Sequence, residues 1–157
     1  MFTIVLIEPQ IPPNTGNIAR LCAATGATLH LVGTLGFSLD DRYLKRAGLD
    51  YWEHVQWQHF PSTEDYMALC NPSQIHLLTT KSDTPYTHHH FHPGDRLIFG
   101  SETKGIDETY LTQYSEQTCT IPMKNKTAGV RSLNLSTSAG IVLYEAIRQQ
   151  SLDNSVR

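Results

Sequence analysis

Three short segments of this chain carry residue types that could bind a ligand or do chemistry at a fixed spacing. The first, Asn14-Thr15-Gly16-Asn17-Ile18-Ala19-Arg20, puts carboxamides, a glycine and an arginine where a helix should begin. Asn14 or Thr15 is the expected N-cap. An arginine within the first turns is a poor partner for the positive end of a helix dipole, so Arg20 is expected to hold something else: a phosphate, or an oxygen nucleophile. The second is Phe99-Gly100-Ser101-Glu102-Thr103-Lys104-Gly105, and the third runs from Ile121-Pro122-Met123 to Arg131-Ser132-Leu133-Asn134-Leu135-Ser136. Each follows a short apolar run of the kind that makes a buried strand. Ligands of parallel α/β sheets sit beyond the carboxyl ends of the strands, and glycine there lets backbone amides approach a bound molecule closely. Taken singly, each loop also reads as a plain strand-to-helix turn, with Ser132 or Asn134 as a cap.

The elements that must position these loops follow from periodicity. Thr3–Ile7, Thr28–Val32, Ile75–Thr79, Arg96–Phe99 and Thr118–Ile121 are expected strands, and Val55–Phe60 an edge strand. The segment Glu8-Pro9-Gln10-Ile11-Pro12-Pro13 is too rich in proline for regular structure. A helix follows it and stops at Gly26, with Cys22 on its apolar stripe as packing. Asp40-Asp41 opens a short helix bearing Arg42, Lys45 and Arg46, Ser62-Thr63-Glu64-Asp65 opens another, and further helices are expected over Asp107–Tyr114 and Asn134–Gln149. Strand–helix alternation without hairpin turns predicts an α/β chain: a mostly parallel sheet with helices on both faces, in one domain over residues 1–157. Ile141, Leu143, Tyr144 and Ile147 make the last helix apolar over a face wide enough to suggest a partner.

Familiar nucleotide signatures are missing. No G-x-G-x-x-G follows a strand, there is no P-loop, and Gly36-Phe37-Ser38-Leu39-Asp40 misses the nucleophile-elbow pattern. The cysteines at 22, 70 and 119 form neither a disulfide framework nor a zinc spacing. The run His88-His89-His90 with His92 lacks a cysteine or carboxylate companion and reads as a surface loop, so no metal is expected. Trp52 and Trp57 read as core or edge packing. No apolar stretch is long enough to cross a membrane, the start of the chain does not read as a signal peptide, and the cysteine pattern fits a reducing cytoplasm. The net charge of -3 speaks against nucleic acid as a partner, yet 117–144 contains no Asp or Glu while carrying Lys124, Lys126 and Arg131. Local cations, not the total, decide binding to a phosphate backbone.

In this order and spacing the three motifs resemble the SPOUT superfamily of RNA ribose 2′-O-methyltransferases, in its TrmH-like class. Glu8-Pro9, Ile11-Pro12-Pro13-Asn14-Thr15-Gly16-Asn17-Ile18, Arg46-Ala47-Gly48-Leu49-Asp50-Tyr51, Leu78-Thr79-Thr80-Lys81 and Tyr144-Glu145-Ala146 with Arg148 are similar to its minimal TrmL/YibK branch, over essentially the whole chain. The resemblance implies a fold with a C-terminal trefoil knot, S-adenosylmethionine as methyl donor (leaving S-adenosylhomocysteine), and a homodimer through the C-terminal helix. It implies tRNA as substrate, at the wobble nucleotide (cytidine or carboxymethylaminomethyluridine) of leucine tRNAs. It also implies Leu78, Gly100, Ile121, Met123, Ser132 and Leu133 around the donor, and Arg20, Asn14, Glu102, Ser132 and Asn134 as active-site residues. Arg20 then orients and stabilises the attacking oxygen rather than taking its proton, since a guanidinium stays protonated. Glu102 either orients RNA or Arg20, or merely orders its own loop. The stretch from Lys124 to Val130 is longer than is usual for the branch and shapes the RNA-facing lip. A non-catalytic RNA-binding module on the same fold is the alternative.

Overall fold

The computed structural model describes residues 1–40, 42–48 and 51–155. Six parallel strands form one sheet in the order β3-β2-β1-β5-β4-β6: β1 (Thr3–Ile7), β2 (Thr28–Val32), β3 (Trp57–Phe60), β4 (Ile75–Leu78), β5 (Arg96–Phe99) and β6 (Thr118–Cys119). Among the described residues five α-helices accompany them: α1 (Pro12–Thr25), α2 (Arg42–Gly48), α3 (Thr63–Ala68), α4 (Glu108–Gln113) and α5 (Leu135–Ser155). Strand β1 is the centre, paired with β2 on one side and β5 on the other, Thr3 opposing both Thr28 and Arg96. Its alternation divides the core in two. Ile4 and Leu6 join Ile18, Cys22, Val142 and Leu143 under α1 and α5. Val5 and Ile7 point to the other face and join Tyr66, Met67 and Leu111 under α3 and α4. Helices therefore cover both faces, and the run Thr3–Ile7 is apolar throughout because neither face meets water.

Local chemistry accounts for the boundaries. Helix α1 starts earlier than its sequence suggests, because Pro12 and Pro13 occupy its first two positions. A proline there loses nothing, since those amides have no intrahelical acceptor. Asn14 is therefore inside the first turn and is not the cap. The helix ends at Gly26 in the left-handed region, φ 73°, with its amide on Cys22 O. Ser62 caps α3 by accepting from Asp65 N, and Asp107 caps α4 by accepting from Thr109 N. Val55 and Gln56 fall short of β3 because Val55 N closes a 3₁₀ turn onto Trp52 O. Strand β6 ends at Cys119 rather than Ile121. Thr120 turns its backbone to the β4–β5 connection, donating to Thr84 O and accepting from Tyr86 N at 2.8 Å each, and Ile121 beyond it packs against the core.

The packing assignments mostly hold. Trp52 packs against the core and meets Trp57 edge-on, ring centroids 5.3 Å apart. All three cysteines are buried. Burial pushes the Cys22 and Cys119 thiols up to about 12, and raises that of Cys70, so none is a ready thiolate. The C-terminal helix corrects one expectation: Leu143 is fully buried in the chain's own core and Ile147 packs against it, so only Tyr144 stands well out and Ile141 partly. The histidine run is not wholly a surface feature either. His88, His90 and His92 are exposed, but His89 turns inward to place Nδ1 2.8 Å from Nδ1 of His76, whose Nε2 is 2.9 Å from the buried Asp95.

On the opposite face, His30 Nδ1 lies 2.7 Å from the Tyr66 hydroxyl. Burial, with Arg96 adding to it, lowers the His30 pKa from 6.5 to about 4. The folded state thus rejects a proton that the unfolded chain accepts below pH 6.5. Stability from this site is intact above that pH and is lost as pH falls from 6.5 toward about 4. We expect the melting temperature to drop by about 3–6 °C across that window on this account. Thermal melts of His30→Gln, which accepts from Tyr66 without titrating, should show a shallower slope.

Candidate functional site

At the carboxyl edge of the sheet, the loops after β1, β4, β5 and β6 surround a crevice of about 540 Å³. Its position is where a parallel sheet with a central switch in strand order places ligands, and its volume suits one nucleoside-sized molecule. Leu78, Gly100, Ile121, Met123, Ser132 and Leu133 all line it, although they come from three separate stretches of chain, at the ends of β4, β5 and β6. Asn14, Glu102 and Asn134 line it as well. Arg20 does not.

Gly100 has a steric reason to be glycine. A Cβ there would lie 2.0 Å from the carbonyl carbon of Gly105 and 2.2 Å from Ile106 N. The loop from 100 to 105 closes on itself, with Gly105 N donating to Ser101 O at 2.9 Å and Gly105 at φ 68°. Lys104 N donates to Ser101 Oγ inside the same turn. The turn thus packs backbone tightly against backbone beside Gly100.

Glu102 is occupied. Its Oε2 accepts from Gln10 N at 2.8 Å, and its Oε1 accepts from Ile11 N at 3.1 Å and from Asn14 Nδ2 at 3.2 Å. Ile11 is the N-cap of α1 and has no side-chain oxygen to serve the helix, so a carboxylate 91 residues away in sequence supplies the negative charge that the helix start favours. Asn14 passes the connection on, its Oδ1 accepting from Asn134 Nδ2 at 3.0 Å. Asn134 in turn caps α5, its Oδ1 accepting from Ser136 N at 2.9 Å and from Thr137 N at 3.3 Å. A carboxylate and two carboxamides therefore lock three loops together beside the crevice. Glu102 orders this assembly; it touches no Arg20. Replacing Glu102 with Gln turns one acceptor oxygen into a donor facing backbone N–H groups. For this half-exposed site we expect a loss of about 1–2 kcal/mol, seen as a melting temperature about 3–6 °C lower.

Arg20 lies six residues beyond Asn14, about 9 Å further along α1. It is exposed, with Cζ 5.1 Å from the centroid of the Tyr51 ring, a cation–π contact that keeps the guanidinium out in solvent reach. The cations at the crevice itself are Lys81, Lys104 and Arg131. Lys81 pairs with Glu108. Lys81 and Lys104 were legible only as parts of longer motifs. Lys124 is exposed next to this rim, and the side chain of Lys126 lies outside the described residues, as do Asp41, Leu49 and Asp50. Arg42, Lys45 and Arg46 are exposed on α2. No helix of the described residues is long and apolar enough to cross a membrane, and among those residues no group of three His, Cys, Asp or Glu is placed to hold a metal.

Comparison with known proteins adds three findings. Residues 1–144 match the model of the SpoU rRNA Methylase family. A tRNA (cytidine(34)-2′-O)-methyltransferase of Methylovorus glucosotrophus is 47% identical over 157 residues, 99% of this chain and 100% of that protein. Among solved structures, one concerned with 2′-OH methylation of C/U34 on tRNA superposes with a TM-score of 0.89 at 39% identity, covering 96% of this chain and 97% of that one. The SpoU methyltransferase AviRb from Streptomyces viridochromogenes, in complex with the cofactor AdoMet, gives 0.79 at 26% identity over 94% of this chain and 60% of its own.

Proposed function

This chain belongs to the SpoU rRNA Methylase family, and on that premise we propose that it methylates the ribose 2′-hydroxyl of nucleotide 34 of tRNA, using S-adenosylmethionine. The substrates are leucine tRNAs, with cytidine or carboxymethylaminomethyluridine at the wobble position, in the cytoplasm. The observation that carries this reading is one crevice that gathers, at the carboxyl edge of the sheet, every residue proposed to hold the donor. Those residues fit such a molecule: Leu78, Ile121, Met123 and Leu133 offer apolar contact, while the loop at Gly100 and the hydroxyl of Ser132 offer polar groups. When bound, S-adenosylmethionine supplies an electrophilic methyl group on a sulfonium.

The protein's own contribution is positioning and charge. Transfer to a hydroxyl needs the reacting atoms aligned at about 3–3.5 Å, and the Asn14–Glu102–Asn134 network fixes the loops that set that alignment. The hydroxyl must lose its proton as it attacks. Arg20 stabilises the developing negative charge on oxygen and holds the neighbouring phosphate from the open side of α1. Glu102, committed to three donors, is a positioning residue rather than the base. Asn134 orders the other side of the site at the start of α5, with Ser132 exposed two residues before it. Lys81, Lys104, Lys124 and Arg131 make a local basic rim that offsets the net charge of -3.

The catalytic unit is the single domain 1–157, acting as a homodimer through α5, where Tyr144 is exposed beside Ile141. A C-terminal trefoil knot belongs to the same reading. The return of the chain from the edge strand β6 to α5, which packs on the β1-centred core, supports it. To test substrate choice, purified leucine tRNAs and a set of other isoacceptors are each incubated with labelled S-adenosylmethionine. Label confined to leucine tRNAs is the expected result; equal label on all of them would remove the leucine assignment.

A further inference from the structure

A second depression, of about 370 Å³, opens on the same edge of the sheet beyond β2 and β3. Leu35, Phe37, Leu39, His59 and Pro61 line it. Leu35 and Leu39 spend their inner sides on the core, whereas Phe37, half-buried, belongs to neither core cluster among the described residues. An aromatic ring that is partly sheltered but packs into no core is available to a ligand. His59 adds a directed polar group. Its Nε2 is 2.9 Å from Gly33 O, and a carbonyl can only accept, so Nε2 carries the proton. In the neutral ring Nδ1 is then an acceptor, and it has no partner among the described residues.

The strap Glu8–Ile11 separates this depression from the donor crevice, and it is pinned from both sides. Glu102 accepts from Gln10 N and Ile11 N on the crevice side. Gly36 N donates to Pro9 O on the other, where a Cβ on Gly36 would meet Gln10 Oε1 at 2.3 Å. Glu8 itself sits at φ 49°, a backbone conformation that non-glycine residues rarely adopt and that packing must hold in place. In sequence the depression is followed by α2 with its exposed Arg42, Lys45 and Arg46; Lys45 pairs with Asp40 at 3.5 Å. An aromatic wall and an unused acceptor, with exposed cations nearby in sequence and one pinned strap between them and the crevice, are the chemistry that recognises a splayed-out nucleobase.

We infer that the depression at Phe37 and His59 receives the base of the nucleotide that is methylated, while its ribose lies over the strap toward the donor crevice. The base stacks on Phe37, and an exocyclic amine such as that of cytosine donates to His59 Nδ1. This rests on the tRNA methyltransferase reading above and adds to it the site that reads the target base.

The test is a cycle in protein and RNA. Anticodon stem–loop RNAs are prepared with cytidine, or with an abasic ribose, at the target position or at either flanking position. For the wild-type protein, losing the target base should lower kcat/KM about 5- to 150-fold, the worth of one base–aromatic stack. Phe37→Leu keeps apolar packing and loses the ring face. On intact RNA it should show a drop of the same order, with S-adenosylmethionine binding within about twofold of wild type, and the abasic substitution should then cost it several-fold less than it costs the wild type, the remainder being the contact to His59. Phe37→Tyr should restore the full penalty. An undiminished penalty in Phe37→Leu, or a coupled penalty only at a flanking nucleotide, would overturn the inference while leaving the methyltransferase reading intact. Failure of the wild-type protein to methylate intact RNA would overturn both.

Discussion

Gly100→Ala is expected to abolish binding of S-adenosylmethionine while leaving most of the protein folded. The added Cβ would overlap the carbonyl carbon of Gly105 at 2.0 Å and its oxygen at 2.4 Å. Those atoms are backbone, so no side chain can swing away to relieve the contact. The loop must open, breaking the bond from Gly105 N to Ser101 O, and the wall of the crevice moves with it. Overpacking of this kind costs about 1–3 kcal/mol of stability. Binding should suffer more, because on the proposed reading the moved backbone is the surface that meets the donor. Affinity measured by calorimetry should fall at least about 100-fold, a loss of about 2.7 kcal/mol, while the melting temperature falls by only about 2–9 °C. Near-normal affinity would show that the loop at Gly100 is not part of the donor site.

Arg20→Ala should separate the other way, with binding kept and turnover lost. Arg20 lies outside the crevice lining and rests on the Tyr51 ring, so the affinity for S-adenosylmethionine should change by less than about twofold. If its guanidinium stabilises the developing alkoxide, kcat should fall about 10²- to 10³-fold, the usual worth of one such donor. Arg20→Lys should recover little of it. A lysine keeps the charge but loses the planar fork that grips a phosphate and an oxygen together, and it stacks less well on tyrosine. Single-turnover kinetics with bound donor would isolate the step. Wild-type turnover in Arg20→Lys would remove the bidentate role.

These two variants also mark what could be read from the chain before its fold was known. Most strands were legible because they are short, apolar and bounded by turn residues, and the six positions expected around the donor, which line one crevice, were legible as parts of motifs only a few residues long. The cap at Asn134 and the stop at Gly26 follow from rules that act over one helical turn. What escaped was set by distance. Nothing near Ile11 shows that its helix start is completed by Glu102, 91 residues later. Nothing in Pro12-Pro13 alone distinguishes a proline-rich loop from the first turn of a helix, and that ambiguity misplaced Asn14 as a cap. Leu143 looked like part of a free face because the period of α5 cannot say which side of a long helix meets the chain's own core. His89 stood in a run whose neighbours are exposed, and only the fold brings His76 to it.

The central claim, that this crevice transfers methyl groups to one ribose of tRNA, has a direct test. Purified protein is incubated with S-adenosylmethionine carrying a labelled methyl group and unfractionated tRNA, and the labelled nucleotide is then mapped by nuclease digestion and mass spectrometry. A single 2′-O-methylated ribose at nucleotide 34 is expected. Label on a base, label outside the anticodon loop, or tight binding of S-adenosylmethionine with no transfer to any RNA would contradict it.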